Sequence, residues 1–269
     1  MLNKNLILRS ITGSLFVAIV VASIFFHAFA FGTLFFVFTI VGTYELIKAS
    51  KGISHLSINK PLSYISSSLA YLFVFLYSYS VETKLFFLIF LLLPIAFLVE
   101  LYRKKEMPFV NVAYSFLPTF YIALPMGLLN YFREIDEGKL LLAFFVTIWA
   151  GDTFAYIVGS LIGKHRLFER ISPKKSWEGT IGSMILTLGL SAFYPYLFGT
   201  LQLWQWIVFV MIALISGAFG DLVESLFKRS VSIKDSGSIL PGHGGVLDRF
   251  DAVILASPFI FVFLQIILT

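Results

Sequence analysis

Two stretches of this chain hold residues able to handle phosphate and cations. In the second, Asp221, Glu224, Ser225 and Lys228 fall at i, i+3, i+4 and i+7, so two carboxylates, a hydroxyl and an ammonium share one helical face. Arg229, Lys234 and Asp235 then cross a Ser- and Gly-containing loop into "PGHGGVLDRFD", residues 241–251. There Gly242, Gly244 and Gly245 surround His243, which leaves the backbone free to approach a ligand. Asp248 and Asp251 are three apart, and they project together if a helix has begun, at its positively polarised N-terminus. The first stretch, residues 149–182, has Asp152 inside an apolar run. Further on, Lys174, Lys175 and Glu178 are punctuated by Pro173 and Gly179, a structured loop feeding a helix.

Carboxylates beside clustered cations with Gly-rich backbone suit a nucleoside triphosphate whose charge is shared between basic side chains and Mg²⁺, which takes oxygen ligands. Asp221, Asp248 and Asp251 form the candidate ligand pool. Plainer readings stand beside these. The face from Asp221 to Lys228 also makes an ion-pair ladder, and Lys174 and Lys175 also suit a membrane surface. Asp152 could pair with a base purely to pack helices, and Gly159 and Gly163 read as a close-packing GxxxG contact. His243 is either an orienting hydrogen-bond group or a base. Zinc is disfavoured, because the chain has no Cys and no second His at ligand spacing beside His243. Walker and Rossmann glycine patterns are absent.

These residues need a scaffold, and composition identifies its kind. The 269-residue chain is 58% hydrophobic and 13% charged, with mean hydropathy +0.90, whereas soluble domains are about 25% charged. It reads as an all-α, polytopic integral membrane protein of about nine transmembrane helices. The apolar segments lie at about 8–26, 28–47, 62–80, 84–102, 109–132, 139–162, 179–199, 203–225 and 251–268. Tyr44, Tyr64, Tyr102, Tyr131, Trp204 and Trp206 at span edges read as the interfacial belt. No internal repeat or long linker appears. Residues 1–135 read as a scaffold for packing, dimer or lipid contacts, and residues 136–269 as the part carrying the site, with cytoplasmic loops 163–178 and 226–250.

All basic residues except Lys84, Arg133 and Lys139 fall in alternate gaps between these segments, beginning with the N-terminal one. The positive-inside rule therefore predicts a cytoplasmic N-terminus, an outside C-terminus and a cytoplasmic polar site. "HAFAFG" after the first segment imitates a signal-peptide cleavage site, but the long apolar run and the immediate second span favour an uncut first helix.

The run Ser225 to Asp251 resembles the signature of the phosphatidate cytidylyltransferases, the CDP-diacylglycerol synthases of bacterial membranes. It carries Ser225, Lys228, Arg229, Lys234, Asp235, Gly237, Leu240, Pro241, His243, Gly244, Gly245, Asp248, Arg249 and Asp251 at that family's spacing. The block from Asp152 to Gly179, with Tyr156, Lys164, Ser172, Pro173, Lys174, Lys175, Trp177 and Glu178, is also similar to it, with Ser176 where Thr is common. The resemblance implies cytidylyl transfer from CTP to phosphatidic acid, giving CDP-diacylglycerol and pyrophosphate with Mg²⁺ required. It also implies a dimer in the cell's inner membrane with a cavity open to the cytosol and to lipid. Lys228, Arg229, Lys234, Asp235, His243, Asp248, Arg249 and Asp251 are the expected catalytic set. Ser172, Lys174, Lys175, Glu178, Ser225, Gly244 and Gly245 are expected to bind the phosphates of CTP and phosphatidate. Asp221, Asp248 and Asp251 are expected on metal, with Asp152 a second-tier candidate for a second cation. No nucleic-acid partner is expected. A secondary transporter using Asp152 and Asp221 as ion sites would show an inverted repeat, and none is seen. A CTP-dependent polyprenol kinase is the nearer rival.

Overall fold

The computed structural model describes residues 4–81, 84–237 and 244–268. Helices dominate: α1 (Lys4–Phe26), α2 (Ala28–Ala49), α3 (Lys60–Ser78), α4 (Leu92–Arg103), α5 (Pro108–Pro118), α6 (Leu124–Ile135) and α7 (Lys139–Ile162). A two-stranded antiparallel hairpin, β1 (Arg166–Phe168) and β2 (Ser172–Ser176), leads into α8 (Trp177–Ser191). The short α9 (Tyr194–Leu197) precedes the long α10 (Leu203–Ser230) and α11 (Leu247–Leu268).

Local chemistry sets these boundaries. Asn59 caps α3 by accepting from the Leu62 amide at 3.3 Å, and Ser176 caps α8 by accepting from the Gly179 amide at 3.2 Å. Gln202 and Gln205 form a capping box at the start of α10. Helices α5 and α6 run on through a π turn, Thr119–Ala123. Pro125 has no amide hydrogen to continue the ordinary ladder, and a wider turn accommodates the gap.

All nine apolar segments coincide with helical elements, but they are unequal. Six described helical stretches are long and apolar enough to cross a membrane: Ala28–Gly52, Lys60–Ser78, Pro108–Ile135, Lys139–Ile162, Leu203–Ser230 and Leu247–Leu268. Among the remaining three, Ile11–Phe26 is a shorter apolar stretch, Lys84–Leu91 is 3₁₀ before α4 begins, and α8 has 15 residues. The chain is a multi-pass helical membrane protein.

The core is aromatic. Phe31, Phe35, Phe144, Phe145, Phe209 and Phe250 are all buried. Phe250, in the first turn of α11, packs edge-on against Phe16 and Phe35, each with ring centroids 5.6 Å away. Small residues bring the last helices together. A side chain on Gly220 of α10 would strike the backbone of Asp251, and one on Gly179 of α8 would come within 2.8 Å of the Ala155 carbonyl of α7. The α7–α8 and α10–α11 pairs are therefore close-packed hairpins, and both polar loops lie at their connecting ends.

Candidate active site

Those connecting ends enclose a cavity of about 960 Å³ between α7, α8, α10 and α11. Five carboxylates line it, Asp152, Asp221, Asp235, Asp248 and Asp251, with five cations, Lys174, Lys175, Lys228, Lys234 and Arg249. Residues from both polar stretches thus share one space. Its deeper wall is apolar, with Ile148, Met184 and Leu214.

On one side, Lys175 Nζ lies 2.7 Å from Asp221 Oδ2, joining β2 to α10. The Ser225 hydroxyl donates to Asp221 Oδ1 at 3.2 Å, so the predicted face of α10 is a real one. Asp152 lines the cavity one helix away, with Tyr156 exposed on the same stripe. Gly159 and Gly163 instead pack against Ser176 and Gly179, the helix-packing role of the GxxxG pattern.

On the other side, Lys228 donates to Glu224 at 2.9 Å and to Asp248 Oδ1 at 2.6 Å, in a nearly buried triad. Asp248 Oδ2 accepts from the Ser236 amide at 3.0 Å, the Ser236 hydroxyl at 2.9 Å and the Gly245 amide at 2.8 Å. Four protein donors therefore hold Asp248. Asp251 lies against Glu224, whose buried Oε1 meets no amide, hydroxyl or basic group among the described residues.

Five predicted residues are not among those lining the cavity. Ser172 sits on β2, and Ser225 serves Asp221. Arg229 ends α10 exposed, its guanidinium donating to the Ile233 carbonyl at 3.5 Å. Gly245 spends its amide on Asp248. Glu178 closes the hairpin, accepting from the Lys164 amide at 3.1 Å, the His165 amide at 3.2 Å and the His165 ring at 2.6 Å. Its own backbone amide, then the His165 ring, hold its carboxyl down at about 2. Leu240, Pro241, Gly242 and His243 lie outside the described residues.

The glycines of the turn accommodate protein groups. A side chain on Gly244, whose φ is +82°, would meet Asp248 Oδ2 at 2.6 Å. One on Gly245 would meet both carboxylate oxygens of Glu45 at 2.6 Å. Glu45 of α2 is the residue that sequence reasoning missed. It is 1% exposed and reaches across the fold to accept from the Val246 amide at 3.1 Å and the Leu247 amide at 3.0 Å. The signal was present: a carboxylate within the apolar segment 28–47, the same cue that singled out Asp152.

A magnesium ion suits the donor chemistry here, since the carboxylates are hard oxygen ligands and the buried Glu224 Oε1 is crowded against the Asp251 carboxyl, two acidic groups that a cation would hold together. Among the described residues, no three acidic or imidazole groups converge closely enough to hold an ion unaided, so substrate phosphates and water would have to complete the shell.

These features define a multi-pass helical membrane protein with a charge-lined cavity at one end of its helices. The chain belongs to the cytidylyltransferase family, whose model matches residues 7–267. It is similar to the phosphatidate cytidylyltransferase of Staphylococcus saprophyticus, 39% identical over 160 residues, covering 58% of this chain and 60% of the relative. That of Staphylococcus aureus is 37% identical over 175 residues, covering 62% of this chain and 65% of the relative. The chain thus spans about 60–65% of the length of these relatives.

Proposed function

We propose that this protein transfers the cytidylyl group of CTP to phosphatidic acid, giving CDP-diacylglycerol and pyrophosphate, a step of membrane phospholipid synthesis. The observation that carries this reading is the gathering of five cations and five carboxylates from two separate sequence blocks into one cavity with an apolar depth, in a member of the cytidylyltransferase family.

In the reaction, a phosphatidate oxygen attacks the α-phosphorus of CTP in line. A new P–O bond forms, the bond to the β-phosphate oxygen breaks, and pyrophosphate leaves. A lipid phosphate is already ionised near neutral pH, so the protein's task is placement and charge neutralisation. Lys174, Lys175, Lys234 and Arg249 offer point and forked positive charge to the phosphates, and Arg229 extends it beyond the cavity rim. Lys228, already shared by Glu224 and Asp248, fixes the wall as well as its charge. Asp235 lines the cavity, and His243 is assigned to the reaction by the family signature. Mg²⁺, when bound, would supply further neutralisation of the triphosphate, held by Asp221, Asp251 and Asp248, the last sharing its carboxylate with Lys228. Asp152 stands near enough to Asp221 to serve a second cation. Ser172, Glu178, Ser225, Gly244 and Gly245 act on the phosphates by shaping the walls.

The distribution of basic residues supports nine crossings, a cytoplasmic N-terminus, an outside C-terminus and a cavity facing the CTP of the cytosol. Residues 136–269 hold the cavity, and residues 1–135 support it and offer surface for a homodimer in the inner membrane. The test is purified protein in detergent with phosphatidic acid, Mg²⁺ and CTP labelled at either the α- or the γ-phosphate. Transfer of the α-label to CDP-diacylglycerol is expected. Transfer of the γ-label to lipid would indicate a kinase instead. Full activity in both Asp248→Ala and Asp251→Ala would overturn the site assignment.

A further inference from the structure

Glu45 has no place in the phosphate chemistry above, yet it is among the most completely enclosed carboxylates of the molecule. Each of its oxygens takes one amide of the turn entering α11, Oε1 from Val246 and Oε2 from Leu247. A helix start has amides with no partner within the helix, and a carboxylate there satisfies them and favours the helix dipole. Here the acceptor comes from another helix, 201 residues earlier in the chain. The surroundings are cut to fit it. A side chain on Gly237 would overlap Glu45 Oε1, one on Gly245 would press both oxygens, and Ser236 stands between Glu45 and Asp248. Leu247 packs 3.2 Å from where a side chain on Gly42 would begin, so α2 grips the turn at two levels.

The next residue of the chain is Asp248, and Asp251 follows one helical turn on. Whatever fixes the Val246 and Leu247 amides fixes the rotation of α11 about its axis, and so the direction of both carboxylates. Phe250, wedged against Phe16 and Phe35 on the opposite face, completes the grip. We propose that Glu45 is a positioning residue of the site: through the Val246 and Leu247 amides it holds the first turn of α11, and thereby sets Asp248 and Asp251 for divalent-cation binding. This rests on the cytidylyltransferase reading for its chemical consequence, but not for the hold itself.

Glu45→Gln is the direct probe, because it keeps the shape but turns an NH₂ toward one of the two amide donors. Gly237→Ala is the independent one, pressing on the same carboxylate from the far side. Both are compared with wild type in detergent by three readouts: hydrogen exchange of residues 244–250, Mn²⁺ binding by electron paramagnetic resonance, and the Mg²⁺ dependence of CDP-diacylglycerol formation. The expected result in both variants is at least tenfold faster exchange in 244–250 and at least fivefold weaker Mn²⁺ binding. The Mg²⁺ half-saturation should rise in parallel, with the KM for CTP at saturating Mg²⁺ within twofold of wild type. Wild-type Mn²⁺ binding and Mg²⁺ half-saturation in both variants, even with a lowered melting temperature, would overturn the proposal, since a merely structural residue costs folded protein and leaves the cation requirement of the folded fraction alone. If wild-type protein makes no CDP-diacylglycerol, the functional reading fails. The exchange and Mn²⁺ comparisons need no turnover and still decide whether Glu45 sets the turn.

Discussion

The two walls of the cavity use the same residue type for opposite ends. Asp248, on the α11 wall, has all but 9% of its side chain covered and is held by four protein donors. Asp221, on the α10 wall facing β2, is 36% exposed; among the described residues Lys175 meets it at 2.7 Å and Ser225 donates to it at 3.2 Å. The first serves the frame and shares with a cation only what Lys228 and the turn leave of it, whereas the second is open to a ligand. The difference teaches that a carboxylate in a signature is not thereby a ligand. Its partners decide how much of it remains to be offered.

Substitutions can break this contrast, beginning with the frame. Lys228→Met should be the most damaging, because it strands Glu224 and Asp248 without their counter-ion. Breaking a buried pair costs about 3–5 kcal/mol, so thermal unfolding in detergent should shift down by many degrees and activity should vanish with it. Asp248→Ala should follow closely, leaving the Ser236 and Gly245 amides unpaired at about 1–3 kcal/mol each. It should lower both the unfolding temperature and turnover. Asp221→Ala, in contrast, should cut turnover by roughly a hundredfold or more, the scale of one lost electrostatic group. Its unfolding temperature should stay close to wild type, as for exposed positions. Equal stability losses for Asp221→Ala and Asp248→Ala would erase the distinction between the walls.

Much of this arrangement is legible in the sequence. Apolar runs place the helical segments within a few residues, and Asp221, Ser225 and Lys228 lie on the face their spacing predicts. Three things are not legible. Helix α8 is too short to count as a span by length, because it stops at Ser191, where the chain turns and restarts as the short α9 around Pro195, although the apolar run continues to 199. The hairpin before α8 has strands of only three and five residues, too short for alternation to announce them. The pairing of Glu45 with residues 246 and 247 is a tertiary fact, although the carboxylate itself was conspicuous in its apolar run. Glu178, grouped with the phosphate binders on family resemblance, is occupied with the hairpin. Local sequence cannot say which partner a polar residue will find.

Smaller effects sharpen the comparison on the ligand side. Lys175→Ala should raise the KM for CTP by roughly ten- to a hundredfold, one charge-assisted hydrogen bond being worth about 1.5–3 kcal/mol, while the unfolding temperature hardly moves. The smallest effect concerns Glu178. Its carboxyl is held at about 2, below the ordinary 4.5, so its bonds favour the folded hairpin fully above pH 4.5. That contribution fades as pH falls from there through about 2. Hydrogen exchange at residues 164–178 should accelerate across that window in wild type. In Glu178→Gln it should be fast already at neutral pH and flat with acidification, with exchange on the α11 side unchanged.

Five positive and five negative side chains around one cavity have a kinetic meaning as well. The lining by itself carries no net formal charge, so the long-range pull on a polyanion comes from the basic residues outside it, such as Arg229, and fades beyond a Debye length of about 8 Å at physiological salt. The association rate should then fall with added salt, whereas the contacts made inside the cavity should be less sensitive to it. Selectivity is exercised after entry, at a few ångströms, where individual charges are met one at a time.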